Sequence, residues 1–578
     1  MPVYNSDIVE IFNEVADLLE IEGANPFRVR AYRDAARTIS TLSRDVAEMV
    51  EEGEDLTELS GIGEDLAGKI EEIVRTGDLK QLEEIEQRTP PELARLLDIA
   101  GLGPKRVQKI YEEQGVTSLE ELEEAAREKR IRKLDGLGPK TEAKVLEDLE
   151  RWSEEEERTR RDVAEERVEP LLDYLRSMEN VARVEAAGSY RRKKETVGDL
   201  DILAISDAGE KVISRFAEYE DVERVVSQGE TRSTVVFRSG LHVDLRVVAE
   251  ESYGAALLYF TGSKQHNIVL RNMALDRGWK INEYGVWTTD EEAEEQEQIA
   301  GEDEEEIYGL FDLPWIAPEL REARGEVEAA EEGELPDLIR LEDVRGDLQT
   351  HTTASDGRAS LKEMAEAARE LGYDYLAVSD HSGYIGVTQG LEADELAERI
   401  DEIDRLNDEL EEIVVLKSVE VDVLEDGSLD LPDDVLERLD LVVFAVHSHF
   451  DLPLEKQTER IMRAMDNPNC TILAHPTGRQ IGKRPAYEVD VGRLMEAAVE
   501  RGCFLEVNAQ PDRLDLDDVY CKMAKERGLK LAISTDAHGT EELRFMRYGV
   551  FQARRGWLEP DDVLNTRSWE ELKKLLDR

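Results

Sequence analysis

From residue 341 to its end the chain repeats one pattern that few folds can accommodate. Apolar runs of strand length recur near Asp347-Leu, Tyr375-Leu-Ala-Val, Ile413-Val-Val-Leu, Leu441-Val-Val-Phe-Ala-Val, Thr471-Ile-Leu-Ala, Phe504-Leu-Glu-Val and Leu531-Ala-Ile-Ser, with helical segments between them. Strands that alternate with helices lie parallel under a helical layer. Seven such passages predict a closed or nearly closed β/α barrel. Most of the runs end on a residue able to bind a metal: His381, Glu420, His447, His475 and, after the last run, Asp536 and His538. Barrel strands all point one way, so residues at their carboxyl ends converge on one mouth. Six of the eight histidines in the chain lie beyond residue 350. A lone strand-end histidine is ordinarily structural, but this many in phase predict a metal site, and imidazole with carboxylate suits Zn²⁺ or Mn²⁺.

The first 150 or so residues are helical by period and carry three internal echoes: Leu59-Ser-Gly-Ile-Gly63, Ile99-Ala-Gly-Leu-Gly103 and Leu134-Asp-Gly-Leu-Gly138. Each leads into a helix with a Lys-apolar pair at the same offset, Lys69-Ile70, Lys109-Ile110 and Lys144-Val145, and Pro104 and Pro139 stand where a first helical turn tolerates proline. These are helix-hairpin-helix units. The glycine pairs Gly61/Gly63, Gly101/Gly103 and Gly136/Gly138 let the backbone approach a phosphate, and the next helix offers free N–H groups. One Gly-x-Gly means little; three in register predict DNA binding.

Between these regions, Gly188-Ser-Tyr-Arg-Arg-Lys-Lys-Glu-Thr-Val-Gly-Asp199-Leu-Asp201 runs a small turn and a basic stretch into an apolar strand. Side chains two apart on a strand share a face, so Asp199 and Asp201 can hold the same pair of divalent cations. The Gly-Ser turn can cradle a triphosphate. This is the equipment of a two-metal phosphoryl or nucleotidyl transferase. With 134 Asp and Glu in 578 residues, the pair needs company. Asp244, in His242-Val-Asp-Leu-Arg-Val, supplies it from a neighbouring strand, facing away from Val243, Leu245 and Val247. Further strands are expected at Val181–Ala186 and Thr234–Phe237, and mixed α+β structure to about 320. The dense acidic run at 291–306 reads as a solvated loop or helix face, and the Glu, Gly and Pro of 321–340 as a linker.

Length allows three to five domains. The net charge of −61 is spread over every segment at 40% hydrophobic content, which suits a folded surface built for molar salt, as in a halophile. High salt weakens Lys and Arg contacts to DNA, so a nucleic-acid enzyme of this composition should rely on backbone N–H groups and bridging cations. Cys470, Cys503 and Cys521 show no Cys-x-x-Cys spacing and read as small buried residues in a reducing cytosol. No signal peptide or apolar run of membrane length occurs, which predicts a cytoplasmic protein.

With Asp199, Asp201 and Asp244 joined by Leu258-Tyr-Phe-Thr-Gly-Ser-Lys-Gln-His-Asn267 and Arg271, residues 1 to about 320 resemble the family X DNA polymerases, the family of DNA polymerase beta. The resemblance implies that the three aspartates bind two Mg²⁺. It implies that Gly188, Ser189, Arg192 and Gly198 hold the incoming triphosphate, that Tyr259, Phe260 and Gly262 line the sugar, and that Asn267 and Arg271 contact the minor groove of the nascent pair. Lys69 falls at the family's abasic-site lyase position, whereas a lysine after a Gly-x-Gly hairpin is also a natural phosphate contact, and Asp65 stands where a second lyase lysine would be. The carboxy-terminal part resembles the polymerase-and-histidinol-phosphatase (PHP) domain, a trinuclear metal phosphoesterase. That resemblance implies His351, Glu420 and Asp536 at one metal, Glu420, His447 and His475 at a second, and Asp356, His381 and His538 at a third. The family's opening His-x-His is here Gln349-Thr-His351, which predicts weaker occupancy of the first metal and a preference for Mn²⁺. His449 has no matching role.

The expected layout is a helix-hairpin-helix gap-binding domain (1–80), fingers with two further hairpins (81–164), an α+β nucleotidyltransferase palm (165–250), a thumb (251–320), a linker (321–340) and a seven-stranded PHP barrel (341–578). The function expected is gap filling in base excision and other DNA repair, by a monomer using dNTPs on gapped or primed duplex DNA, with a metal-dependent 3′→5′ exonuclease or 3′-end processing site. Two other readings stand: a PHP nuclease using the polymerase half as a DNA platform, and a non-catalytic repair scaffold.

Overall fold

A computed structural model describes residues 3–40, 42, 46–59, 61–99, 102–134, 136–155, 158–288, 297–383 and 390–576. The chain forms two compact units, residues 1–158 with 480–485, and 159–479 with 486–578.

The first unit is helical. Helix Asn5–Ile21 buries Ile8, Phe12, Val15, Ala16 and Leu19, the spacing of one helical face, in a core shared with Val29, Tyr32, Ala36 and Ile39 of helix Pro26–Ser40. The three echoes build alike. Helices begin at Glu64, Pro104 and Pro139, and the paired Ile70, Ile110 and Val145 are fully buried. Gly61 and Gly136 take φ of +76° and +83°, a conformation that favours glycine. Gly101 and the Ser60 and Asp135 positions beside the other hairpins lie outside the described residues.

In the second unit, a five-stranded sheet has the order Arg183–Ala186, Asp199–Ile205, His242–Val248, Arg232–Phe237, Val222–Gln228. Only the Asp199–Ile205 and His242–Val248 pair is parallel. Alternation sorts its faces. Leu200, Ile202, Ala204, Val243, Leu245 and Val247 pack in one core with helices Arg161–Arg176 and Gly209–Ala217, which leaves the aspartates on the opposite face. The edge strand Val222–Gln228 was not foreseen. It is exposed along nearly all its length and so carries no apolar alternation to read.

Helices Tyr253–Thr261 and Lys264–Asp276 follow, with a small antiparallel sheet of Trp279–Asn282, Gly285–Thr288 and Gln298–Ala300. The acidic run at 291–306 is not uniformly solvated. Residues 291–296 lie outside the described residues, whereas Glu304 is 4% exposed and accepts bonds from Arg191, Arg321 and the Trp315 indole. Its partners are distant in sequence, so a local charge count could not find them. The 321–340 segment is likewise packed: Arg321 is fully buried, and Gly325 and Gly333 bracket a short helix, Glu326–Glu332, rather than marking loose chain.

The carboxy-terminal strands are all parallel. Gly346–Thr350, Tyr375–Val378 and Val414–Lys417 form one sheet; Glu420–Asp422, Val443–Ala445, Ile472–Leu473, Phe504–Asn508 and Leu531–Ser534 form another. Past the third apolar run the chain crosses at Ser418-Val419 into a further strand, Glu420–Asp422, in the other sheet, so eight strands among the described residues stand where seven were expected. Parallel bridges His381–Glu420 and Thr350–Ala537 join the sheets into a ring. Leu348, Ala377, Leu416, Ala445, Ala474 and Ala532 fill its interior, and small residues suit so narrow a barrel. Cys470, Cys503 and Cys521 are buried and form no disulfide. Among the described residues, no helix is long and apolar enough to cross a membrane.

Candidate functional site

Parallel pairing sets Asp201 directly opposite Asp244, with Asp199 one alternation back toward the strand's start. Burial, and then the charges of Asp199 and Asp244, push the Asp201 carboxyl up to about 7. Three carboxylates gathered on one sheet face with little cationic compensation are a donor set for divalent cations. Asp244 accepts hydrogen bonds from Thr234, its cross-strand neighbour, and from Arg232 at 3.3 Å. Those two flanking residues were missed, although the alternation that placed Asp244 also puts them on its face.

The turn before the aspartates is shaped by one glycine. Gly188 has φ of +60°, and a Cβ there would lie 2.9 Å from Asp201 Oδ2. The Ser189 hydroxyl is buried without a hydrogen-bond partner among the described residues. Arg192 donates to Glu322 at 2.9 Å and to the Thr261 carbonyl at 2.5 Å. Gly198 sits between strand Thr196–Val197 and the Asp199 strand. Beyond Thr261, Gly262 has φ of +68° and would place a Cβ 3.3 Å from Arg192. Tyr259 and Phe260 meet edge to face at 5.0 Å, under Arg271 and Arg246 respectively. Asn267 bonds the Tyr259 carbonyl at 2.7 Å. Tyr259, Asn267, Arg271 and Asn282 line a shallow open cleft together with Leu258, Leu270 and Ile281.

In the barrel, the strand-end residues converge. Three groups place their ligand atoms within 4.8 Å of one another: His351, Asp356, His381 and His538; His381, Glu420 and His447; and His351, Glu420 and Asp536. Glu420 is the hub, 3.1 Å from His475 and 3.3 Å from both His381 and His447. His475 therefore touches the second expected set through Glu420, while His381 takes its place in the close group. His475 and Asp536 adopt positive φ, 28° and 53°, a strain that functional sites tolerate. The electrostatics are those of groups suited to bind cations. Burial disfavours the His351 imidazolium, yet the carboxylates of Asp536, Asp356 and Glu420 hold its pKa up to about 10. Burial lowers His381 to about 4. Burial opposes ionisation of Asp356 and Asp536 too, but the surrounding histidines keep both well below the usual carboxylate range. Nδ1 of His351 and Nδ1 of His381 are buried without a hydrogen-bond partner among the described residues, while His351 Nε2 lies 3.0 Å from Asp536; each neutral ring has one lone pair to offer a metal. The residues present fit the metals that the fold implies.

Gln349 lies in the same pocket. Its amide nitrogen is 3.4 Å from Asp536, and its buried oxygen has no hydrogen-bond partner among the described residues. The sequence reading missed the far wall, where Asn508 bonds both Glu506 and Asp536 and Arg513 lies 3.8 Å from Asp536. The signal was present: the run Phe504-Leu-Glu-Val-Asn508 was the one late strand left without an assigned residue at its end. His447 is oriented by Asp422 at 2.9 Å. His449 is exposed, at φ of 57°.

In the helical unit, Gly63 and Gly103 cap their helices with ordinary negative φ, and a Cβ on Gly63, Gly103 or Gly138 would meet nothing within 4 Å. Nothing inside the protein demands glycine there; an approaching backbone or phosphate would. Lys69 is largely buried, 5.5 Å over the Tyr32 ring, and forms an ion pair with Asp65.

Comparison with known proteins agrees with this geometry. Residues 3–79 match a helix-hairpin-helix domain, 93–151 a SAM-like helix-hairpin-helix tandem, 256–322 the DNA polymerase beta thumb, and 347–510 the PHP domain. The DNA polymerase/3'-5' exonuclease PolX of Bacillus subtilis is 39% identical over 578 residues, the whole of both chains. The chain belongs to the PHP-bearing family X DNA polymerases. About a third of the chain is also similar to proteins named as probable phosphatases. A probable phosphatase of Thermoanaerobacter sp. is 30% identical over 232 residues, covering 38% of this chain and 90% of that one. Another, from Caldanaerobacter subterraneus, is 28% identical over 212 residues, 33% and 75% of the two chains.

Proposed function

We propose that the chain is a gap-filling DNA repair polymerase that acts as a monomer on gapped or primed duplex DNA with dNTPs, and that its barrel trims 3′ ends. The observation that carries the first half is Asp201 facing Asp244 across a parallel register, its carboxyl raised to about 7, beside a glycine-only turn and a buried serine without a partner. Asp199, Asp201 and Asp244 would hold two Mg²⁺, which when bound favour the primer alkoxide and neutralise the leaving pyrophosphate. Ser189 and the backbone of the Gly188 turn receive the triphosphate. Tyr259 and Phe260 pack against the sugar and exclude a 2′-OH, while Asn267 and Arg271 reach the nascent pair. The hairpins grip the duplex through backbone N–H groups, which keeps affinity where salt weakens side-chain contacts.

In the barrel, His351, Asp356, His381, Glu420, His447, His475, Asp536 and His538 would hold up to three Mn²⁺ or Zn²⁺, which when bound acidify a water and withdraw charge from a phosphodiester. Arg513 adds a positive charge at the same wall for the scissile phosphate. A scaffold gains nothing from burying so many ionisable groups, each costly without partners. Replacing Asp199 and Asp201 together by Ala should lower dNTP incorporation on a gapped duplex by at least about 10³-fold, since two-metal stabilisation amounts to several kcal/mol. DNA binding should persist in a gel-shift titration. Undiminished incorporation would sink the polymerase assignment.

A further inference from the structure

The palm meets the barrel domain at the basic turn Tyr190-Arg-Arg-Lys-Lys-Glu195, which directly follows Ser189. Four cationic side chains in succession repel one another, and such a turn left to itself would sample many conformations. Here it is held along its whole length. Arg161 donates to the Tyr190 carbonyl at 2.8 Å and lies 4.4 Å over the Tyr190 ring. At the other end, Glu195 accepts from Arg479 at 2.6 Å and from Gln552 at 3.3 Å. In the middle, Arg555 donates to the Arg192 carbonyl at 2.7 Å, and Lys193 stands 4.5 Å over the Phe551 ring.

Phe551, Gln552 and Arg555 belong to one barrel-domain helix, Met546–Arg555, whose Tyr548 and Arg547 also bond Glu165 of the palm, each at 2.8 Å. Arg555 is 3% exposed. It pairs with Asp518 and shares Glu322 with Arg192, at 3.1 Å and 2.9 Å. Although burial opposes its charge, Glu322 is held down to about 2 by Arg192 and Arg555. A buried guanidinium is tolerated only with most of its donors engaged, so the turn, Glu322 and the helix end are ordered together. Arg192 carries the order onward to the Thr261 carbonyl, beside the Gly262 step of the sugar-lining segment.

We propose that the helix Met546–Arg555 is a positioning element for the nucleotide site of the palm. Arg555, supported by Gln552 and Arg479, fixes the 190–195 turn in the conformation that receives the triphosphate of an incoming dNTP. The barrel domain thus has a part in synthesis that does not pass through its metals. The proposal rests on the polymerase reading above, and Arg555 is a positioning residue that touches neither nucleotide nor metal.

The test is steady-state incorporation by the full-length chain on a gapped duplex at varied dNTP, together with dNTP-free 3′ degradation. Arg555→Ala should raise the KM for dNTP about tenfold or more, the loss of a hydrogen bond to a charged group, with a much smaller change in kcat. Arg555→Lys should recover part of that affinity, and degradation should stay unchanged in both, which reports an intact barrel. If Arg555→Ala fails to fold, Glu195→Gln, half-exposed and equal in volume, should still raise the KM severalfold. An unchanged KM in the folded variants would overturn the proposal, as would a fall in degradation parallel to the loss of synthesis. Persistence of incorporation in the Asp199 and Asp201 double variant would instead refute the polymerase reading itself, so the two failures are distinguishable.

Discussion

Glu14 shows how acid crowding acts on a single side chain. Burial first, then the charges of Glu86, Glu10, Asp17 and Glu92, raise its pKa to about 7 from an ordinary 4.5. A carboxyl whose folded pKa lies above its unfolded value adds stability that is complete below about pH 4.5 and is lost as the pH rises through about 7. Discounted for partial exposure, the ionised form costs the helical unit about 1–2 kcal/mol. Glu14→Gln should therefore raise the melting temperature at pH 8 by a few degrees and leave it unchanged at pH 4.5; molar KCl should remove only the part owed to the neighbouring carboxylates, because salt does not relieve burial. An equal shift at both pH values would contradict this origin. Residues of this kind were illegible in the sequence, because the neighbours that set their charge come from several helices. The palm aspartates were legible for the opposite reason: Asp199, Asp201 and Asp244 declare themselves through alternation within two short strands. Glu304 and Arg555 act on partners 113 and 363 residues away, and no local pattern reveals them.

At the scale of elements, the hairpins separate structural glycines from functional ones. Gly61 and Gly136 need their positive φ, whereas Gly103 has φ of −82° and open space where a Cβ would stand. Gly103→Ala should alter stability by less than about 1 kcal/mol. It should nonetheless weaken binding to a gapped duplex severalfold in a fluorescence titration, because the methyl group obstructs the approach of a phosphate. Unchanged affinity would mean that this hairpin does not meet DNA. The three helix starts and the two prolines were readable from spacing alone, since a glycine pair before a helical period leaves few options. The barrel strands were equally plain, but Glu420–Asp422 was not: polar Lys417 and Ser418 end the apolar run before it, and three residues are too few to show a strand pattern. The exposed edge strand Val222–Gln228 lacked any pattern because neither of its faces is buried.

At the scale of the whole molecule, a charge of −61 sits on a protein whose family acts on DNA. The design places its cation-seeking carboxylates on one palm face and one barrel mouth, and its cationic turn between them is neutralised by Glu195, Glu322 and their arginine partners. Two chemistries on one chain require that each site work when the other is disabled, and His381 is the residue to remove, since it belongs to two of the three close groups in the barrel and to none in the palm. The deciding measurement is a gapped-duplex assay of His381→Ala in high KCl, with Mg²⁺ and Mn²⁺ compared and dNTPs either present or withheld. The two-site account predicts that shortening of the 3′ end without dNTPs falls by at least about a hundredfold, as expected on loss of a metal ligand, while extension with dNTPs proceeds at the rate of the unaltered protein. Loss of both activities together, or continued shortening at the original rate, would contradict it.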